Sequence, residues 1–209
     1  MSERSPHYGP AARASYHHGD LRRALIDAAR NLLDEGAAGG VTLRAAAQAA
    51  GVSAAAPYRH FKDREALYAA VLCDGFQDMA ATLRGAREAE TDPVVAYLAV
   101  GRAYLGFAAA HPRLFAGMFS ADFNRVLHPA LSEAARDAFD QVLQAARVLE
   151  DAGMTGQRSA EHVALAGWTM VHGLAAIQVD NLLRHVLTVD PQHAAEAMFS
   201  ILVEGVALR

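Results

Sequence analysis

Hydrophobic residues recur every three or four positions along most of the chain, and glycine or proline separates the runs. This spacing predicts amphipathic helices over residues 20–35 and 64–87, with Gly36 ending the first and Asp63 capping the second. Seven prolines and the lack of alternating Val, Ile and Thr runs argue against strands. We therefore expect an all-α fold.

The C-terminal two thirds continue the helical pattern, with proline, glycine or a capping residue at most boundaries. The predicted helices cover residues 93–110, 115–119, 129–150, 159–185 and 191–208. The apolar stripe of the helix at 64–87 is too long for one small core. We therefore expect two domains to share this helix.

Residues 41–61 contain two short helical patterns separated by a Gly-Val-Ser corner. Thr42 can cap the first helix, and Gly51 can adopt the positive φ that ends it. Ser53 is predicted to cap a second helix of about two turns, in which Pro57 is the fourth residue and removes one backbone donor. Two helices joined by such a corner are typical of a helix-turn-helix, whose second helix enters the major groove of DNA.

Charge is distributed unevenly around this motif. The net charge is −4, but residues 1–72 hold nine basic against seven acidic residues, and the remainder holds ten against sixteen. The basic excess coincides with the helix-turn-helix and is small, so DNA affinity should depend on dimerisation to double the phosphate contacts.

Residues 15–75 resemble the TetR/AcrR regulators in the order and spacing of their motifs. These motifs are Thr-Leu-Arg, Ala-Ala-Gly-Val-Ser and Tyr-Arg-His-Phe-Lys-Asp, followed by a long helix. Trp168, Val171, His172 and Gly173 also resemble the Trp-His-Gly element of one regulatory-domain subgroup. The resemblance implies a homodimeric repressor that a small molecule releases from a palindromic DNA operator.

Domain boundaries follow from the motif and the resemblance. We predict a disordered tail over residues 1–16, a helix-turn-helix DNA-binding domain over 17–65, and a ligand-binding and dimerisation domain over 66–209. Basic residues of the tail could reach a minor groove or phosphates, or the tail could be a solvated terminus.

Candidate DNA contacts follow if the duplex is held as in the resembled family. Phosphates would be contacted by Thr42, Tyr58, His60 and Lys62. Base edges would be contacted by Arg44, Ala55, Ala56 and Arg59, with Ser53 at the start of the same helix. An alternative role remains open for Tyr58, as a partly core residue wedged between helices.

The C-terminal part holds more aromatic and sulfur side chains than a packed helix interface needs. Some are expected to line an apolar pocket for a small hydrophobic or aromatic ligand. The candidates are Tyr97, Tyr104, Phe107, His111, Phe115, Phe119, Trp168 and His172. Plain core packing is the alternative, and Trp168 and His172 lie four residues apart, so they can stack or share a buried hydrogen bond.

Small and apolar residues alternate along the last two predicted helices, as at Ala164, Gly167, Val171 and Ala175. Two such helix pairs from two subunits would form a four-helix interface with two-fold symmetry. The alternative is that the same faces are covered within one monomer.

Other chemistries have weak support in the sequence. The ten histidines form no His-x3-His pair, and we expect neither a metal site nor a cofactor. Cys73, the single cysteine, excludes an internal disulfide and fits a reducing cytoplasm. The apolar run at 164–179 is too short and too polar to span a bilayer. Two alternatives remain, an activating or architectural DNA-binding protein without a ligand and, more remotely, a helical enzyme.

Overall fold

The computed structural model describes residues 21–36, 40–121, 123–124, 127–180 and 191–207. Along these residues the α-helices are α1 (Leu21–Glu35), α2 (Leu43–Ala49), α3 (Arg64–Glu88), α4 (Pro93–Ala110), α5 (Pro112–Phe119), α6 (Pro129–Asp151), α7 (Ala160–Val179) and α8 (Pro191–Ala207), with a 3₁₀ helix at Ala56–Arg59. The all-α fold is confirmed for this part of the chain. The tail predicted over residues 1–16 lies outside it.

Helix starts agree with the capping residues of the sequence. The Ala66 N–H donates to Oδ1 of Asp63 at 2.8 Å, and the N–H groups of Val94 and Val95 donate to Oδ1 of Asp92 at 2.9 Å. Each carboxylate satisfies backbone donors that have no partner inside the helix.

The predicted end of α7 near residue 185 is wrong. The helix ends at Val179, and the Asp180 N–H closes its last turn on the carbonyl of Ala176. An Asp-Asn pair at 180–181 interrupts the apolar pattern there, and both residue types favour helix ends over helix interiors.

The 25-residue helix α3 is the axis of the fold. It packs against α1 on one side and against α4, α5 and α6 on the others. Its buried stripe begins at Leu67 and continues through Val71, Phe76 and Met79 to Leu83. One rigid helix therefore connects the helix-turn-helix region with the C-terminal helices.

Helix α4 is long and apolar enough, by length and composition alone, to cross a membrane, with a mean hydropathy of 1.4 over its 18 residues. One face of it packs against α3, α6 and α7, and Tyr97, Val100, Tyr104 and Phe107 are buried there. This face of α4 is therefore covered by other helices of the chain.

Candidate nucleic-acid interface and ligand cavity

The corner of the helix-turn-helix is built by local hydrogen bonds. The Ala45 N–H donates to the Thr42 hydroxyl at 3.1 Å and caps α2. At the other end, the Val52 N–H donates to the carbonyl of Ala47 at 2.9 Å, and the Gly51 N–H donates to that of Gln48 at 3.1 Å. This pair of bonds is a Schellman motif, which needs a left-handed residue, and Gly51 has φ +69°.

The second helix of the motif differs from the prediction. Instead of two α-helical turns capped by the Ser53 side chain, a turn at Ala54 and Ala55 leads into the 3₁₀ helix Ala56–Arg59. In an α-helix the N–H of residue 57 would donate to the Ser53 carbonyl, but Pro57 has no N–H. The Ala56 N–H donates to that carbonyl instead, at 3.0 Å, and this closes a 3₁₀ turn.

Most of the candidate DNA-contacting residues are exposed on the surface of the helix-turn-helix, residues 41–63. The exposed members are Arg44, Ser53, Ala55, Tyr58, Arg59, His60 and Lys62. Thr42 and Ala56 are half-buried. Tyr58 is 64% exposed, which excludes its alternative role in the core. The segment therefore presents basic and small side chains together on one accessible stretch of chain.

Two contacts hold the helix-turn-helix against its neighbours α1 and α3. Pro57 and Phe61 are buried, and the guanidinium of Arg22 on α1 lies 5.3 Å from the centre of the Phe61 ring. Nε of Arg64, the first residue of α3, donates to the carbonyl of Val41 at 2.7 Å. The orientation of the exposed residues is thus fixed by α1 and α3.

The helices α1 and α3 are joined by an ionic cluster centred on the buried Asp74. Asp74 is 5% exposed and accepts hydrogen bonds from Arg23 and Arg30 of α1. Arg30 also pairs with Asp78, and Arg23 with Asp27. Arg23, near the start of α1, is therefore paired with carboxylates of the protein itself.

An aromatic cluster occupies the centre of the C-terminal helices. The Tyr104 hydroxyl and Nδ1 of His172 lie 2.9 Å apart, and the Trp168 and His172 rings stack at 5.0 Å with an interplanar angle of 15°. The rings of Phe115 and Phe119 lie 5.7 and 4.5 Å from that of His172. The expected stacking of Trp168 on His172 is confirmed, and the hydrogen bond of His172 goes to α4.

A cavity of about 200 Å³ lies beside this cluster, between α3, α4, α5, α6 and α7. Its walls are Phe76, Met79, Tyr104, Phe119, Phe139 and Trp168, with Ala135 and Ala138. Tyr104 and Trp168 also line a second space of about 20 Å³, together with Tyr97 and Phe199. Burial raises the pKa of Tyr97 to about 12 and raises that of Tyr104 as well.

Two of the predicted ligand residues lie elsewhere. Phe107 and His111 stand at the C-terminal end of α4, where their rings lie 5.1 Å apart. Nδ1 of His111 is 3.6 Å from Oδ2 of Asp34 near the end of α1. His111 therefore faces the end of α1, and neither residue is among those that line the 200 Å³ cavity. Phe115 and His172 do not line the cavity themselves, but the rings of both contact the ring of the wall residue Phe119.

The small-residue face of α7 serves a different purpose from the predicted one. Ala164, Gly167, Val171 and Ala175 are buried within the monomer, because α7 packs this face onto α4 and α6. Leu165, on the opposite side of the helix, is 54% exposed. The alternative of coverage within one monomer is therefore correct for these residues.

Cys73 is half-buried on α3, with its sulfur 3.6 Å from the carbonyl of Ala130. Burial raises the pKa of its thiol, which lowers the fraction of reactive thiolate. Among the described residues, no group of three or more His, Cys, Asp or Glu side chains could hold a metal ion.

Comparison with known proteins assigns both halves of the chain. A family model described as "Tetracyclin repressor-like, C-terminal domain" matches residues 97–202, just over half of the chain. A second model, "Bacterial regulatory proteins, tetR family", matches residues 25–71. The chain belongs to the TetR family. The Trp-His-Gly subgroup stays a prediction.

Individual relatives and solved structures are also similar to this chain. The HTH-type transcriptional regulator Rv1816 of Mycobacterium tuberculosis is 36% identical over 95 residues, 43% of this chain and 39% of the relative, so the chain spans about two fifths of that relative's length. A protein of unknown function from Rhodococcus sp. RHA1 has a TM-score of 0.82 and 31% identity, over 93% of this chain and 100% of that one. RolR, in a complex with resorcinol, has a TM-score of 0.63 and 18% identity, over 90% and 88% of the two chains.

Sequence reasoning missed several residues of the cavity wall in this TetR-family chain. Phe76 and Met79 belong to the α3 stripe, and Ala135, Ala138 and Phe139 belong to α6. All lie at helical spacing that core residues share. The sequence feature that could have indicated the cavity is the pair of alanines one turn apart on α6, because such small side chains among large aromatic residues leave volume unfilled.

Proposed function

We propose that this TetR-family chain is a homodimeric transcriptional repressor that a small molecule releases from a palindromic operator. The observation that carries the proposal is the exposed stretch from Ser53 to Lys62, which follows the Gly51 corner and leads directly into α3. Arg44 and Arg59 would contact base edges, and Tyr58, His60 and Lys62 would contact phosphates. Family membership further supports a cytoplasmic regulator without catalytic activity.

Dimerisation would use the outer side of α7 together with α8. Leu165 on α7 and Ile201 on α8 are 54% and 63% exposed, and Ala197 is exposed one turn before Ile201. Large apolar side chains in solvent on neighbouring helices support a two-fold interface on this side. Two DNA-binding segments would then meet successive major grooves about 34–36 Å apart.

Helix α5 would couple the cavity to the DNA-binding segment. Its Phe119 lines the cavity, and its Gly117 packs against Tyr68 and Leu72 of α3. A ligand that displaces Phe119 would shift α5 against α3, and the bond from Arg64 to Val41 would pass the movement to α2. A coupling free energy of about 1–3 kcal/mol suffices for such release.

The DNA contacts can be tested by fluorescence anisotropy on several labelled duplexes at a series of salt concentrations. Lys62→Ala should weaken binding to every sequence and reduce the salt slope by about 1, whereas Arg59→Ala should relax preference at particular base pairs. Arg84→Ala is the matched control, because this exposed arginine lies near the far end of α3, 22 residues after Lys62. Equal and sequence-independent losses from Arg59→Ala and Lys62→Ala would contradict the assigned contacts, and unchanged affinity in both would contradict the interface.

A further inference from the structure

We infer that the cavity beside Tyr104 takes a neutral molecule with a single ring, and that Trp168 sets this size limit. The inference rests on the proposed function, since the cavity is the site where the effector would act. It specifies the size and charge of the effector, which the family assignment leaves open.

The volume fixes the size class. At about 200 Å³ the cavity is smaller than the roughly 300–1,000 Å³ of sites for drug-sized ligands. An apolar protein cavity of about 150 Å³ accommodates benzene. One six-membered ring with one or two substituents therefore fills this space, and a second fused ring or a long acyl chain exceeds it.

The walls fix the charge. The described lining consists of aromatic, methionine and alanine side chains, and no Lys, Arg, Asp or Glu side chain is among those wall residues. An ionised carboxylate placed there would lose its hydration without gaining a counter-ion, which costs several kcal/mol. A neutral phenol loses far less on entering than the benzoate anion of similar shape.

The polar group of the wall is the Tyr104 hydroxyl. It is paired with Nδ1 of His172, and the indole of Trp168 also lies within hydrogen-bonding reach of it. A hydroxyl has one donor and two acceptor positions, so these two partners leave it limited capacity for a third. The site thus suits a ligand with one small polar group on an otherwise apolar ring.

Trp168 and Tyr104 form the partition that limits length. Both residues line the 200 Å³ cavity and the 20 Å³ space. Beyond the partition, the Phe199 ring fits closely over Gly101. Removing the indole would join the two spaces along one line and admit a longer molecule.

The test measures the affinities of phenol, benzoate and 1-naphthol for the full chain by isothermal titration calorimetry. Phenol should bind about tenfold or more tightly than either of the others, because overpacking and an unpaired charge each cost at least about 1.4 kcal/mol. Trp168→Ala should reverse the order of phenol and naphthol. Ala138→Leu, which fills the cavity, should abolish phenol binding, and Thr169→Ala, on the exposed side of α7, should leave all three affinities unchanged.

Each outcome decides the inference separately from the proposed function, because preference for a particular duplex is measured on the native chain without ligand. Benzoate or naphthol binding as tightly as phenol would overturn the ligand class, and so would phenol binding that survives Ala138→Leu. Naphthol affinity unchanged in Trp168→Ala would overturn the role of the partition, and if that variant does not fold, Ala138→Leu decides alone. The expected affinities without any duplex preference would support the ligand class and contradict the repressor.

Discussion

Nη1 of Arg30 on α1 donates a hydrogen bond of 2.9 Å to Oδ2 of Asp74 on α3. Arg23 donates to the other carboxylate oxygen, and the Asp74 side chain is only 6% exposed. This contact joins the first helix of the DNA-binding region to the helix that the C-terminal helices surround. The two helices are therefore tied together through a charged group that has left water.

Asp74→Asn should destabilise the protein because it leaves two arginines facing a neutral amide. The free energy of unfolding should fall by about 2–3 kcal/mol, less than the ~3–5 kcal/mol of a fully buried pair, since Arg23 is half-exposed. Urea unfolding measures the change. Asp78→Asn is the matched control on the same helix, and its half-exposed pair with Arg30 should contribute less than about 1 kcal/mol. Equal losses from both variants would contradict the special role of Asp74.

Gly117→Ala should disturb the contact between α5 and α3. A Cβ at this position would overlap the Tyr68 hydroxyl and approach Cδ2 of Leu72 at 3.2 Å. We expect a loss of about 1–3 kcal/mol in the free energy of unfolding, together with a weaker effect of ligand on DNA affinity. Gly85→Ala on α3 meets no atom within 4 Å and should stabilise the helix by up to about 1 kcal/mol. An unchanged ligand response in Gly117→Ala would argue against α5 as the coupling element.

Gly51→Ala should strain the corner of the helix-turn-helix. The position is open to solvent and meets no neighbouring atom, so the cost comes from the positive φ alone. About 1–2 kcal/mol of stability should be lost, and Gly51→Asn should lose less, because asparagine tolerates the left-handed region. Thermal unfolding of the two variants distinguishes this strain from steric overlap, which would make asparagine the worse substitution.

The buried Tyr97 should make stability fall at alkaline pH. Its hydroxyl donates to the carbonyl of Val163 at 2.8 Å, and burial raises its pKa to about 12. Between the ordinary value near 10 and that value, the unfolded chain loses a proton that the folded chain keeps. The contribution of Tyr97 to stability is therefore complete below about pH 10 and is lost as the pH rises toward 12.

Absorbance of tyrosinate during an alkaline titration measures this effect. Buried tyrosines ionise late, at the pH where the protein unfolds. Tyr97→Phe should reduce the number of these late-ionising tyrosines by one. If the variant and the native chain had the same number of late-ionising tyrosines, Tyr97 would ionise with the accessible tyrosines, and the prediction would be wrong.

The parts of the fold that sequence predicted well depend on short-range chemistry. Thr42 and Asp63 each cap the helix that follows by accepting a hydrogen bond from the N–H three residues ahead. Gly51 ends α2 through backbone hydrogen bonds that span at most six residues. Such contacts are encoded in residue type and spacing. The 3₁₀ helix was not predicted, although its cause is equally local, because Pro57 lacks the N–H that the Ser53 carbonyl would need in an α-helix.

Long-range relationships were beyond sequence reasoning. Tyr104 and His172 are 68 residues apart in the chain. Nothing in the pattern of α4 shows that Tyr104 contacts α7, whereas His111, just after the end of the same helix, contacts α1. The buried face of α7 was mistaken for a dimer surface because small residues pack closely in either setting. Only the positions of the neighbouring helices decide between them.

Selection of duplexes from a randomised pool at low salt tests the central claim most directly, that the exposed segment between Ser53 and Lys62 recognises DNA. The native chain should enrich a two-fold symmetric sequence whose half-sites lie about 10 base pairs apart, and Arg59→Ala should broaden it at particular positions. A native chain that enriches no sequence over the starting pool would contradict the account.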